Sequence, residues 1–253
     1  MTRLTFLGTG TSQGVPMIGC GCEVCKSSDS RDKRLRASAY VEYEGLRLIV
    51  DAGPDFRYQM LRKGISDVDG ILLTHNHKDH TGGLDDIRAF NYHRKEPVHI
   101  YCEKYVEDSL KMEYSYAFAE NKYPGAPDWQ VHIIDDKTFS INGIEIIPIR
   151  GKHFRLPVLG YRFGDIAYCT DMNHIPEEEF AKLEDLEHFV INCVRRGHHI
   201  SHYSLEEAIA VAQKVGARNS WLTHLSHQLP KQEVLEKELP AGVRPAYDGL
   251  VLM

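Results

Sequence analysis

The sequence predicts an α/β protein in which two packed mixed sheets carry helices on their outer faces. Three observations point there. Runs of strand-like residues give way to helical spacing, and the same succession repeats in the second half of the chain. No low-complexity linker and no short repeat interrupts the 253 residues. That length allows one large core, so residues 1–253 read as a single domain.

The elements follow in order. Residues 3–8 read as a first strand, and the glycine-rich segment 8–16 follows. It is not a dinucleotide fingerprint, because Gln13 stands where the third glycine belongs and no helical pattern follows. It is either a tight turn or a loop whose backbone N–H groups, with Ser12 and Gln13, face an anionic ligand. Residues 39–43 and 46–50 flank Glu44-Gly45 as a hairpin, and Asp51-Ala52-Gly53 ends the second strand. Residues 55–63 have helical spacing, with Phe56, Met60 and Leu61 on one side and Gly64 as the stop. A buried strand at 70–73, a short helix at 85–92, a strand at 98–102 and a helix at 104–119 come next.

In the second half, 131–134 is a strand, and Asn142-Gly143 between 139–141 and 144–147 is the clearest hairpin signal. Gly164-Asp165 marks another hairpin, between 159–163 and 166–169. Residues 176–186 read as a capped acidic helix, and 189–194 as a strand. Ser204 and Glu207 have capping-box spacing and open a helix to about Val215. A strand at 220–223 leads to His224, and 243–253 end as strand and turn.

Composition narrows the function classes. Apolar residues are 42% and charged residues 26%, as in ordinary globular domains. The net charge of −6 leaves no electrostatic footprint for duplex nucleic acid. No apolar run approaches the ~20 residues of a membrane span, and no signal pattern precedes the first strand, so the expected compartment is the cytoplasm. The composition also leaves a homodimer open. In a reducing compartment, isolated Cys102, Cys169 and Cys193 read as core. Cys20, Cys22 and Cys25, in a loop at about 19–26, offer three thiolates for a tetrahedral zinc or stand as reduced thiols. A zinc needs a fourth ligand from elsewhere in the chain.

The richest stretch is Thr74-His75-Asn76-His77-Lys78-Asp79-His80. It leaves a buried strand and meets Gly82-Gly83. Extended backbone points His75 and His77 to one face, so they can grip one metal, while Asp79 and His80 beyond the bend face a second position. Imidazole and carboxylate suit zinc, manganese or iron. Three further candidate ligands, His153, Asp171 and His224, follow strand-like runs. His227, three residues after His224, is the best fourth partner for the cysteines. Arg195, Arg196, His198, His199 and His202 crowd the segment before the Ser204 cap, where Arg196 and His199 could hold phosphate oxygens and His202 could protonate an alkoxide.

On the H-x-H-x-D-H segment the chain resembles the metallo-β-lactamase superfamily. With the glycine-rich start, C-x-C-x-x-C, the histidine before Ser204, T-H-L-S-H and A-Y-D-G-L, it is similar over nearly its whole length to the PhnP-like cyclic-phosphate phosphodiesterases of the carbon–phosphorus lyase pathway. That family is related to the tRNA 3′-processing endonucleases. The resemblance implies a four-layer αβ/βα sandwich. It implies two divalent metals, manganese, zinc or iron. His75, His77 and His153 would hold one, Asp79, His80 and His224 the other, and Asp171 would bridge them. It further implies a structural zinc on Cys20, Cys22, Cys25 and His227. The expected activity is hydrolysis of a small phosphodiester such as 5-phosphoribosyl 1,2-cyclic phosphate by metal-activated hydroxide, with His202 as general acid and Asp79 and Asp171 in the catalytic centre. Thioesterase or lactonase activity of the glyoxalase II type, oligonucleotide cleavage and a non-catalytic metal-binding module are the competing readings. An acidic chain with no tRNA-gripping insertion argues against the endonuclease role.

Overall fold

The structure is a computed structural model and describes residues 2–253. The first half runs β1 (Thr2–Gly8), β2 (Ser38–Tyr43), β3 (Leu46–Val50), α1 (Phe56–Lys63), β4 (Gly70–Leu72), α2 (Lys78–Thr81), α3 (Arg88–Arg94), β5 (Val98–Cys102), α4 (Lys104–Glu113) and β6 (Trp129–Ile133). The second runs β7 (Phe139–Ile141), β8 (Ile144–His153), β9 (Leu156–Phe163), β10 (Ile166–Tyr168), β11 (His188–Asn192), α5 (Leu205–Val215), β12 (Asn219–Thr223), α6 (Gln232–Glu238), β13 (Val243–Pro245) and β14 (Val251–Leu252).

Among the described residues the strands form two sheets, ordered β14-β1-β2-β3-β4-β5-β6 and β13-β12-β11-β10-β9-β8-β7. Both are mixed: β3 to β6 are parallel, as are β10 to β13, while β1, β2 and β7 to β10 pair antiparallel. Leu4, Phe6, Val41, Leu48 and Leu72 face Ile146, Leu159, Tyr161, Phe163 and Val190 between the sheets. Phe56, Met60, Phe90, Val106 and Leu110 cover the outer face of the first sheet, and Leu183, Leu205, Ala208 and Ala212 that of the second. The result is the expected four-layer sandwich. Central strands buried on both faces read as continuous apolar runs, which is why 70–73 shows no alternation.

Several elements differ from expectation. The helix from Lys104 stops at Glu113 instead of 119. Tyr114 leaves the helical region, donates its hydroxyl to the Thr81 carbonyl at 2.8 Å and packs on Trp129. Residues Glu177–Leu183 form a 3₁₀ helix with no side-chain cap, not a capped α-helix. That geometry stacks i on i+3, and Lys182 sits on Glu179, whose carboxylate also accepts from the Arg150 N–H. Leu61 is 64% exposed, because five positions from Phe56 carry it to the far side of α1. Helix α6 was not foreseen. The cysteines at 102, 169 and 193 are buried as expected, and burial pushes the Cys102 thiol up to about 12. No helix among the described residues is long and apolar enough to cross a membrane.

Candidate metal centre

The parallel strands end on one side of the sandwich, and candidate ligands follow those ends. Asp51 follows β3, the 73–80 segment follows β4, His153 closes β8, Asp171 follows β10 and His224 follows β12. Tyr161 Oη donates to the Leu73 carbonyl at 2.7 Å, so the second sheet holds the loop that leaves the first. The loop lies tight against the segment after β3. A Cβ on Gly53 would sit 1.9 Å from the Asp79 carbonyl oxygen, so the glycine there is a requirement of close approach.

The donor atoms of His75, His77 and His153 lie within 4.8 Å of one another, and so do those of Asp79, His80, Asp171 and His224. Asp171 lies between the histidines: its Oδ2 is 3.2 Å from His80 Nε2, and its Oδ1 is 3.1 Å from His224 Nε2 and 3.0 Å from His202 Nε2. Asp79 Oδ2 is 3.3 Å from His80 Nε2 and 3.7 Å from His224 Nε2.

Hydrogen bonds behind the rings set their tautomers. Asp51, fully buried, accepts from Thr74 N at 2.8 Å, from Thr74 Oγ1 at 2.9 Å and from His80 Nδ1 at 2.6 Å. With its one proton given to Asp51, the Thr74 hydroxyl accepts from His75 Nδ1 at 2.9 Å. His153 Nδ1 donates to the Ser201 carbonyl at 2.7 Å. Each of these bonds leaves the lone pair on Nε2. The Nε2 atoms of His75, His80 and His224 are buried with no hydrogen-bond partner, a costly arrangement unless a cation takes the lone pairs. Burial holds His75 well below the usual imidazole range and His153 down to about 4, so both are neutral donors at pH 7. Burial pushes the Asp171 carboxyl up, but His224 and His80 outweigh it and hold it well below the usual carboxylate range. The donor set fits two divalent cations.

Cys20, Cys22, Cys25 and His227 form a separate cluster. His227 Nδ1 is 3.3 Å from Cys20 Sγ and 3.5 Å from Cys22 Sγ. The N–H groups of Met17 and Cys25 point at the Cys25 and Cys22 sulfurs at 3.3 and 3.4 Å. The Cys25 N–H, then His227, lower the Cys22 thiol to about 6, so it is a thiolate at neutral pH. The set fits a tetrahedral zinc.

His202 stacks on His224 with ring centroids 4.9 Å apart, and His199 Nδ1 lies 3.2 Å from His202 Nδ1. Arg196 does not reach this group. It pairs with Glu238 on α6 and lies with Cys22 and His227 beside the cysteine loop. Ser12 and Gln13 are exposed, and the Ser12 carbonyl accepts from Arg36 Nε at 3.0 Å. Asp51 is the residue that sequence reasoning missed. Its signal was an aspartate ending a strand before Ala52-Gly53.

Residues 46–225 match the family described as beta-lactamase superfamily domain. A solved structure described as a new diphosphatase from the PhnP family superposes with a TM-score of 0.93 at 38% identity, over 100% of this chain and 98% of that one. An octanoyltransferase of Porphyromonas gingivalis is 41% identical over 98% of this chain, which spans about half (51%) of that protein's length. Ribonuclease Z of Pyrobaculum neutrophilum is 24% identical over 97% of this chain and 93% of its own.

Proposed function

The chain belongs to the beta-lactamase superfamily, in its PhnP family, and is a metal-dependent hydrolase; we propose that it cleaves a small phosphodiester, cyclic ones such as 5-phosphoribosyl 1,2-cyclic phosphate included. In this reading His75, His77 and His153 hold one divalent cation, Asp79, His80 and His224 a second, and Asp171 both. Cys20, Cys22, Cys25 and His227 hold a structural zinc. Bound cations of this kind supply a hydroxide nucleophile at neutral pH and neutralise charge on a phosphoryl group.

The observation that carries the proposal is His202. Its Nε2 lies 3.0 Å from Asp171 Oδ1, and its donor atoms form a third close group with those of His153 and Asp171; in this reading the cations take the other two groups and His202 is left for proton transfer. An alkoxide leaving from phosphorus needs a proton, whereas a thiolate does not. Nδ1, 3.1 Å from Ser201 Oγ and 3.2 Å from His199 Nδ1, restrains the ring and keeps Nε2 on the side of the ligand cluster. In this reading His202 acts as the general acid, its Nε2–H turning from Asp171 Oδ1 to the leaving oxygen. A second reading draws on the diphosphatase relative: hydrolysis of a diphosphate, whose leaving phosphate is less basic and depends less on His202.

The test compares a cyclic ribose phosphodiester, bis(p-nitrophenyl) phosphate, a diphosphate diester and a thioester, on protein stripped and refilled with manganese or zinc. His202→Ala should lower turnover of the cyclic diester by about 100-fold or more, and of the p-nitrophenyl ester by far less. Activity on the thioester alone, or equal losses on both diesters with metal content unchanged, would overturn the reading.

A further inference from the structure

We propose that Phe154 is the face on which an aromatic base of the substrate stacks, so that the preferred phosphodiesters carry a nucleoside. This rests on the phosphodiesterase reading and names its substrate class. Phe154 directly follows the ligand His153 and, with Arg155, forms the two-residue turn between paired His153 and Leu156. Its φ is +57°, the left-handed region that such hairpin tips normally fill with Gly, Asn or Asp. A bulky side chain is disfavoured there, and this one gains little from burial, since it is 48% exposed. Neither turn geometry nor core packing accounts for a phenylalanine at this point.

The turn that carries it is nonetheless held in place. The Phe154 N–H donates to Asn173 Oδ1 at 2.9 Å, and Asn173 Nδ2 donates to the Ile200 carbonyl at 3.0 Å. Asn173 therefore locks the Phe154 turn to the segment that carries His199 and His202. Ile200, 60% exposed, adds a second apolar group on that rim. The Arg155 guanidinium lies 5.2 Å from the Phe154 ring centroid, and no carboxylate among the described residues pairs with Arg155 or Lys152. An apolar ring beside an unneutralised guanidinium, one residue from His153, suits a planar base attached to a phosphate. Stacking on such a ring is tolerant of base identity.

The test pairs adenosine 2′,3′-cyclic phosphate with methyl β-ribofuranoside 2′,3′-cyclic phosphate, which has the same cyclic ester and no base. Metal-loaded wild type should favour the adenosine ester by about 10-fold in kcat/KM. Phe154→Ala and Phe154→Gly should abolish that preference through KM and leave the methyl riboside unchanged, while Phe154→Trp preserves it. Phe154→Gly should also melt no lower than wild type, because glycine relieves the turn. Equal losses on both esters, or no preference in wild type, would overturn the proposal. If neither ester is hydrolysed, the phosphodiesterase reading falls. Calorimetry with AMP and ribose 5-phosphate then decides for Phe154: an AMP advantage that Phe154→Ala removes upholds the stacking face, and equal affinities overturn it.

Discussion

Replacing Asp51 with asparagine should loosen metal binding more than it loosens the fold. The buried carboxylate accepts three hydrogen bonds, from Thr74 N, Thr74 Oγ1 and His80 Nδ1. An amide of the same shape keeps one acceptor oxygen and turns an NH₂ toward donors. With the oxygen on Thr74 N, the NH₂ meets both the Thr74 hydroxyl and His80 Nδ1. Thr74 can reorient its hydroxyl. His80 Nδ1–H cannot, so it either stands unpaired, at a cost of about 1–3 kcal/mol, or gives its proton to Nε2 and ceases to be a ligand. Loss of such a supporting carboxylate typically weakens a metal site about 10- to 100-fold. The reoriented Thr74 hydroxyl also disturbs its bond to His75 Nδ1, so both cation positions should weaken. The assay is chelator competition on apo protein refilled with zinc or manganese, with far-UV circular dichroism to confirm folding. Affinities within about 2-fold of wild type at both positions, in a fully folded variant, would refute the reasoning.

Two further predictions read other parts of the molecule. In protein loaded with zinc, His227→Ala should lose the equivalent that Cys20, Cys22 and Cys25 would hold and keep the cations of the other cluster largely bound, because the two clusters share no residue; metal analysis after dialysis checks it, and loss of all metals at one rate would contradict separate sites. Ser204→Ala removes a capping box in which Ser204 Oγ accepts from Glu207 N and Glu207 accepts from Ser204 N. The expected cost is about 1 kcal/mol, seen as a melting point about 2–4 °C lower in a reversible thermal melt.

Local chemistry was legible where it acts locally. Asn142 and Gly143 have φ of +52° and +84°, as their hairpin demands, and Gly64 and Gly216 end helices with positive φ. The H-x-H-x-D-H segment was legible because its four groups lie within one turn and one extended stretch. What stayed hidden depends on which strands lie side by side. Asp51 supports His80 only because β3 pairs in parallel with β4, which carries both strand ends to one edge. Arg196 looked like a phosphate ligand beside His199, but it pairs with Glu238 on the unforeseen helix α6. Single-sequence spacing has no access to that partner, 42 residues away. The same limit explains Tyr114, whose helix stops for contacts with Thr81 and Trp129.

The backbone itself shows why certain residue types suit the ends of these strands. Asp51, Asp171 and His224 have φ of +63°, +55° and +54°, each just beyond a strand. An extended residue there would continue the alternation and send its side chain to a sheet face, into one of the three cores. The left-handed turn instead throws the side chain across the top of the sandwich, where ligands meet. Such a conformation costs of order 1–3 kcal/mol at a residue unsuited to it. Aspartate and histidine are among the types that tolerate it best, so at these three positions the residue type serves backbone and ligand set together. Phe154 shares the conformation without that tolerance, without a donor atom and without burial. Under the stacking proposal, contact with a substrate base is what would offset that cost at Phe154.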